Sequence, residues 1–226
     1  MAAMNPKRSA WKVTSHSGLA PAQSHQIRII GGLLKRTRIA VLDMPGLRPT
    51  PDRVRETLFN WLGQDLTGWV CTDAFAGTGA LGLEAASRGA ASVTSVESDA
   101  RVCKHLKQTV QALGLDGFRV VHGDGVTFMA TQDAARQDIV FLDPPFDQDL
   151  FESAMREARR LVRPGGWVYL EAPSQWADAK LADLGFELYR HLKAGRVHAH
   201  LLRPIAAGGL SSATGELDNM RSPMAR

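Results

Sequence analysis

From Trp69 onward the chain alternates short β-branched, apolar runs with segments of helical period. Nothing else in the sequence restricts the fold as much. "WVCTDAFA", "ASVTSVE", "FRVVHGD", "DIVFLD" (Asp138–Asp143) and "WVYLEAP" read as five strands. Helices fit "GALGLEAASRG", Asp99 to Leu113, a short turn after Asp124, and Phe151 to Val162. Gly89, Gly114 and the Pro164-Gly165-Gly166 run supply their stops. Such alternation builds a parallel sheet covered by helices on both faces. A helix near Ala177–Leu184 and an antiparallel hairpin around Ala194-Gly195 would complete one edge. The expected fold is α/β: a doubly wound, mostly parallel, seven-stranded sheet with an antiparallel C-terminal edge hairpin.

The segment before this body differs in charge. Residues 1–62 hold 10 Lys/Arg against 3 Asp/Glu, and residues 63–226 hold 17 against 20. No acid precedes Asp43. A basic segment on a mildly acidic body points to a polyanionic partner, with a solvated basic face as the plainer alternative. Residues 1–25 and 207–226 lack periodicity and read as disordered tails. Residues 26–62 read as a small β-hairpin turning at Gly31-Gly32, then a helix. Thr50 would be its N-cap, Pro51 its first residue, and Val54, Leu58, Trp61 and Leu62 its buried stripe. Lys35, Arg36, Arg38, Arg48, Arg53 and Arg55 are the candidate cations for such a partner; charge alone does not separate RNA from DNA. Residues 63–206 form the remaining domain.

No apolar run approaches the roughly 20 residues of a membrane span, so no membrane partner is expected. Cys71 and Cys103 match no zinc spacing and read as buried thiols in a reducing cytoplasm; no metal site is expected. The protein is expected to be a cytoplasmic monomer.

"DAFAGTGALG" holds Gly77-x-Gly79-x-x-Gly82 between a strand and a helix. In a doubly wound sheet this loop lies at the carboxyl edge, where ligands bind. Glu97 ends the next strand and can accept both hydroxyl hydrogens of a ribose. Asp73 precedes the loop and suits an ammonium group. Asp124, in "HGDG", can accept from an adenine amine, or it can serve its own turn. An acid at each of three strand ends suits S-adenosylmethionine better than NAD, whose pyrophosphate needs a helix N-terminus. Phe75, Thr78, Ser98 and Gly125 complete the candidate cofactor set.

"VFLDPPFDQ" ends the fourth strand in a stiff corner. Pro144 and Pro145 fix φ and remove two N–H donors, so the turn presents carbonyls with no competing donors. An exocyclic nucleobase amine is a poor nucleophile because its lone pair is delocalised into the ring. Two acceptors on its N–H groups favour a pyramidal nitrogen whose lone pair points at a methyl donor. The Asp143 carboxylate and the Pro144 carbonyl can be those acceptors, and Phe146 can stack on the base. The candidate catalytic residues are therefore Asp143, Pro144, Pro145 and Phe146.

The glycine loop, second-strand Glu97 and Asp-Pro-Pro-Phe corner, in that order, resemble the Rossmann-like class I methyltransferases that modify amino groups. "RIIGG", the basic residues after it, "GLRPTPDRVRETLFNWL" and "DAFAGTGALGLEAASRGA" carry a narrower resemblance. It is to the bacterial ribosomal RNA methyltransferases acting on the guanine N2 amine at position 966 of 16S RNA, and it runs from about Ile27 to Pro204. The resemblance implies S-adenosylmethionine as donor and the small ribosomal subunit as substrate. It implies Asp73, Gly77, Gly79, Glu97 and Asp124 for the cofactor, and Asp143 through Phe146 for the amine. Competing readings are a dinucleotide oxidoreductase, a non-catalytic RNA-binding assembly factor, and a methyltransferase for DNA adenine or a glutamine amide.

Overall fold

The computed structural model describes residues 26–44, 47 and 49–206. In chain order its elements are β1 (Gln26–Arg28), β2 (Arg38–Ala40), α1 (Asp52–Leu62), β3 (Val70–Asp73) and α2 (Ala80–Ser87). Next come β4 (Ser92–Glu97), α3 (Ala100–Ala112), β5 (Phe118–His122), α4 (Gly125–Ala130) and β6 (Gln137–Leu142). Last are α5 (Phe151–Leu161), β7 (Val162–Ala172), α6 (Asp178–Asp183), β8 (Phe186–Ala194) and β9 (Val197–Pro204). The tails expected at residues 1–25 and 207–226 lie outside the described residues, as does Arg48. Among the described residues no helix is long and apolar enough to cross a membrane.

The main sheet has seven strands in the order β5-β4-β3-β6-β7-β9-β8. β5 through β7 are parallel, and β9 is antiparallel to both β7 and β8. The chain runs outward from β3 to β5 and then returns to β6 on the other side. The switch point therefore falls between β3 and β6, where such sheets bind ligands at their carboxyl ends.

Period-two alternation splits the core into two layers. Phe141 and Tyr169 join Val54, Leu58, Phe59, Leu81, Leu83 and Leu106 on the face covered by α1, α2 and α3. Val140, Leu142, Val168 and Leu170 join Met129, Met155, Ala158 and Leu181 on the face covered by α4, α5 and α6. Local chemistry sets the helix ends. The Asp99 side chain caps α3 by accepting from Arg101 N and Val102 N. Gly89 and Gly114, with φ of 94° and 65°, stop α2 and α3 where a side chain would be strained.

Several boundaries differ from expectation. The N-terminal strands do pair, Gln26 opposite Ala40 and Arg28 opposite Arg38, but through the nine-residue connection 29–37 rather than a tight Gly31-Gly32 turn. The glycines serve packing instead. A Cβ on Gly32 would meet Ser87 O at 1.8 Å, and one on Gly31 would meet the Arg88 guanidinium at 2.4 Å. Thr50 does not cap α1. Pro51 holds the N-cap position without a side-chain bond, and the buried Thr50 hydroxyl turns to Glu171. α5 stops at Leu161, and β7 runs straight through Pro164-Gly165-Gly166 with a register shift opposite Gln137/Ile139. At the last hairpin Ala194 pairs with Val197, so the turn is Gly195-Arg196, one residue later than expected.

Candidate active site

Four adjacent strands carry a carboxylate at, or one residue from, their carboxyl ends, all on the same face of the sheet. Along β4, β3, β6 and β7 the alternation that sends Val93, Cys71, Phe141 and Tyr169 to the α1–α3 side sends Glu97, Asp73, Asp143 and Glu171 there too. The order across the edge is Glu97, Asp73, Asp143, Glu171. Three of these were expected from sequence; Glu171 was not.

Asp73 is buried beneath the glycine loop, where its Oδ2 accepts from Gly82 N at 3.3 Å. Burial pushes its carboxyl up to about 7. The Gly82 N–H pulls it back, and nearby Glu97 and Glu171 add to the rise. Glu97 clips the loop to β4. Its Oε2 accepts from Gly77 N at 2.8 Å, and its Oε1 accepts from Asp99 N at 2.7 Å. Ser98 Oγ lies 3.4 Å from the same Oε1. Gly77 and Gly79 have φ of 51° and 76°, and a Cβ on Gly79 would strike Leu106 at 2.4 Å. Thr78 and Gly77 line a crevice with Leu47 and Val102 on the outer side of the loop. Phe75 packs towards the opposite layer. Asp124 is exposed and caps α4, with Oδ1 accepting from Thr127 N at 2.7 Å. A Cβ on Gly125 would meet Ala74 O at 2.0 Å, so only glycine lets this loop approach the Asp73–Phe75 turn so closely.

Asp143 is half-buried and Pro144 buried at the end of β6. Burial, then the charges of Glu171 and Asp73, hold the Asp143 carboxyl well above the usual carboxylate range. Burial also raises Glu171, while hydroxyl hydrogens from Tyr169 and Thr50 pull it down; the Tyr169 bond is 2.9 Å. Thus Asp73, Asp143 and Glu171 crowd three carboxyl groups at one poorly solvated sheet edge, each raised towards its neutral form and with no cation among the groups acting on it. This arrangement fits a cationic ligand. Among the described residues no trio of His, Cys, Asp or Glu is arranged to hold a metal ion. Phe146 is 41% exposed. It starts an aromatic chain, 6.2 Å from Phe151, which lies 6.1 Å from Trp176.

The expected RNA-contacting cations divide. Lys35, Arg36, Arg38 and Arg53 are exposed, beside an exposed Leu33. Arg55 is not available to RNA: it is fully buried and ion-paired. Its Nη1 donates to Glu84 at 3.1 Å, its Nη2 to Asp52 at 2.6 Å, and its Nε to Thr50 O at 3.1 Å. Glu84, buried in α2, is the hub of this network. It also accepts from Ile30 N (3.0 Å), Gly31 N (2.8 Å), and Arg88 Nη2 (2.8 Å) and Nε (3.1 Å). One carboxylate thus fastens the N-terminal loop, α1 and α2 together.

Comparison with known proteins identifies the family. The family model described as conserved hypothetical protein 95 matches residues 27–203. An Escherichia coli relative named ribosomal RNA small subunit methyltransferase D is 40% identical over 203 residues, covering 87% of this chain and 97% of the relative. The chain belongs to this family of ribosomal RNA methyltransferases. A Haemophilus influenzae member of the same name is 37% identical, covering 75% of this chain and 95% of its own length. The solved structure of an Escherichia coli protein taken to be a methyltransferase superposes with a TM-score of 0.68 at 36% identity, covering 80% of this chain and 99% of that one. The family match takes in the four-carboxylate edge, the Glu84 hub and the β8–β9 hairpin alike.

Proposed function

We propose that this protein transfers a methyl group from S-adenosylmethionine to the exocyclic N2 amine of a guanine in 16S ribosomal RNA of the small subunit. The observation that carries this reading is the Asp143–Phe146 corner, set at the switch point beside the glycine loop and within a row of strand-end acids. Family membership supports the ribosomal RNA substrate class. When bound, S-adenosylmethionine supplies an electrophilic methyl on a cationic sulfur. Asp73 would hold its ammonium, Glu97 its ribose hydroxyls and Asp124 its adenine amine. Gly77, Gly79 and Gly125 would let the backbone close in, and Phe75, Thr78 and Ser98 would line the site.

Asp143 and the Pro144 carbonyl accept from the guanine amine and hold the nitrogen pyramidal, while Pro145 stiffens the turn and Phe146 stacks on the base. A nitrogen that gains a methyl group must lose a proton. A carboxylate raised by burial and by Glu171 is a better proton acceptor than an ordinary aspartate. Exposed Lys35, Arg36, Arg38 and Arg53 meet RNA phosphates. An RNA substrate of this kind places the work in the cytoplasm, and both cysteines are buried free thiols, as a reducing compartment allows.

The dinucleotide reading fits less well. Asp73 already occupies the N-terminus of α2 through Gly82 N, and its charge opposes a pyrophosphate there. The test is incubation with labelled S-adenosylmethionine and either naked 16S RNA or small subunits from an unmodified strain, followed by mapping of the methylated nucleotide. Label on a guanine N2 is expected. Label on adenine, or none with either substrate, would sink the proposal.

A further inference from the structure

The β8–β9 hairpin has a charge pattern the catalytic corner does not use. From Leu188 to Ala206 the chain contains no Asp or Glu, but holds Arg190, Lys193, Arg196 and Arg203. Arg190 and Arg203 are engaged by rings: Arg203 lies 4.7 Å from the Trp167 centroid and 4.2 Å from Tyr189, and Arg190 lies 4.3 Å from Tyr189. Lys193 and Arg196 are exposed at the tip and have no carboxylate partner among the described residues.

Register locates that tip. Leu142 pairs with Leu170, so Asp143 and Glu171 stand at one level at the carboxyl edge. Glu171 pairs with Ala199, and Ala172 with His198, which in turn pairs with Lys193. Lys193 therefore stands one residue, about 3.3 Å, beyond the level of Asp143, and the turn rises further. Three strand spacings separate β6 from β8, about 14 Å at roughly 4.8 Å each. The tip is thus close enough to serve nucleotides flanking the target base. It also stands free: a Cβ on Gly195 would meet nothing within 4 Å.

The tip is held firmly from below. Buried His200 accepts from Trp176 N at its Nε2 (3.2 Å), and its Nδ1 lies 3.3 Å from Leu170 O. The His191 ring lies 5.0 Å from His200 and 5.1 Å from His198, and His191 Nε2 is 3.0 Å from His198 Nδ1. Three packed imidazoles brace the strands directly under Lys193. Lys193 shares their sheet face, which is also the face of the Phe146–Phe151–Trp176 chain. The cations of residues 26–62 belong to the segment packed on the opposite face.

Resting on the RNA reading above, we infer that the β8–β9 hairpin tip is a second RNA-binding element, in which Lys193 and Arg196 grip phosphates flanking the target nucleotide. The target strand is then held from both faces of the sheet, by the N-terminal segment on one side and the tip on the other.

The test is the double variant Lys193→Ala/Arg196→Ala, with binding of a naked 16S RNA transcript measured between 50 and 200 mM salt, a range over which phosphate contacts weigh heavily. The log–log salt slope should fall in magnitude by about 1.4–1.8, at 0.7–0.9 per lost contact. Melting temperature and S-adenosylmethionine affinity should match wild type. A wild-type slope in this stable variant would overturn the inference while leaving the functional reading intact. If wild-type protein itself shows no salt-dependent RNA binding, the functional reading fails and the tip's role fails with it.

Discussion

Replacing Glu84 by alanine should unmake the docking of the N-terminal segment. The substitution removes the acceptor of five N–H contacts: Ile30 N, Gly31 N, Arg55 Nη1, and Arg88 Nε and Nη2. Removing one partner of a buried ion pair costs about 3–5 kcal/mol. Arg55 keeps Asp52 and two carbonyls, and Arg88 keeps Gln64, so the ionic loss belongs at the lower end of that range. The two backbone N–H groups are only part-buried and add about 1 kcal/mol each, the bottom of the range for an unsatisfied donor. The sum is about 5 kcal/mol, comparable with the whole stability of many domains. For a chain of this size 1 kcal/mol moves the melting temperature by about 2–4 °C, so a fall of roughly 10–20 °C is expected. Thermal unfolding followed by far-ultraviolet circular dichroism measures it, with exposed Arg53→Ala as a control that should shift little. Glu84→Gln, which keeps size but not charge, should fall between the two. A Glu84→Ala protein melting within about 2 °C of wild type would refute the hub.

Asp73, raised to about 7 by burial, should make S-adenosylmethionine binding pH-dependent. If only the carboxylate binds the ammonium, affinity at pH 8 should exceed that at pH 6 by about tenfold. Calorimetry should show this, Asp73→Asn should lose it, and equal wild-type affinities would dismiss the assignment. Asp143→Ala should lower single-turnover methylation by about 10²–10³, the usual loss of a preorganised polar group, with cofactor affinity retained. The same change should not lower stability at neutral pH: a carboxyl raised in the folded state binds more protons there than in the unfolded chain, so it stabilises in acid and that contribution is lost as pH rises through its folded pKa. Wild-type turnover by Asp143→Ala would end the amine-clamp mechanism. Glu171→Gln removes the charge that helps raise Asp143, so the acid limb of the rate profile should move to lower pH; an unmoved limb would separate Glu171 from the chemistry.

The sheet and most of the candidate site were legible because their signals are local and periodic. Strand-end acids after Gly-rich or Pro-rich corners can be read residue by residue, and Asp73, Glu97 and Asp143 do stand together at the switch point. Gly31-Gly32 was misread because two glycines permit a tight turn, but also permit contact with a helix end, and only the fold chooses. Arg55 was misread because it lies off the stripe chosen from Val54, Leu58, Trp61 and Leu62. The buried set is Val54, Arg55, Leu58 and Phe59. A usable signal was present in α2: Glu84 is the one charged residue of "ALGLEAAS", and a buried acid demands a basic partner. Glu171 was passed over inside "WVYLEAP", although it stands one residue from a strand's carboxyl end, much as Glu97 ends its own. The hairpin tip left no motif at all, because its placement depends on β9 returning antiparallel beside β7.

The Glu84 hub also bears on engineering. A basic N-terminal segment of this kind invites treatment as a detachable module to be swapped between scaffolds. Here Ile27, Ile29, Leu34, Val54, Leu58 and Phe59 are all buried in the same core as Phe141 and Tyr169. Thr50, from the same segment, donates to Glu171 at the carboxyl edge of the sheet. A chimera carrying a foreign segment would have to import its own partners for Glu84, a glycine pair against Ser87, and a hydroxyl for Glu171. On the proposed RNA reading, resurfacing exposed Leu33, Lys35, Arg36 and Arg38 is the route to a new target that leaves the foundation standing.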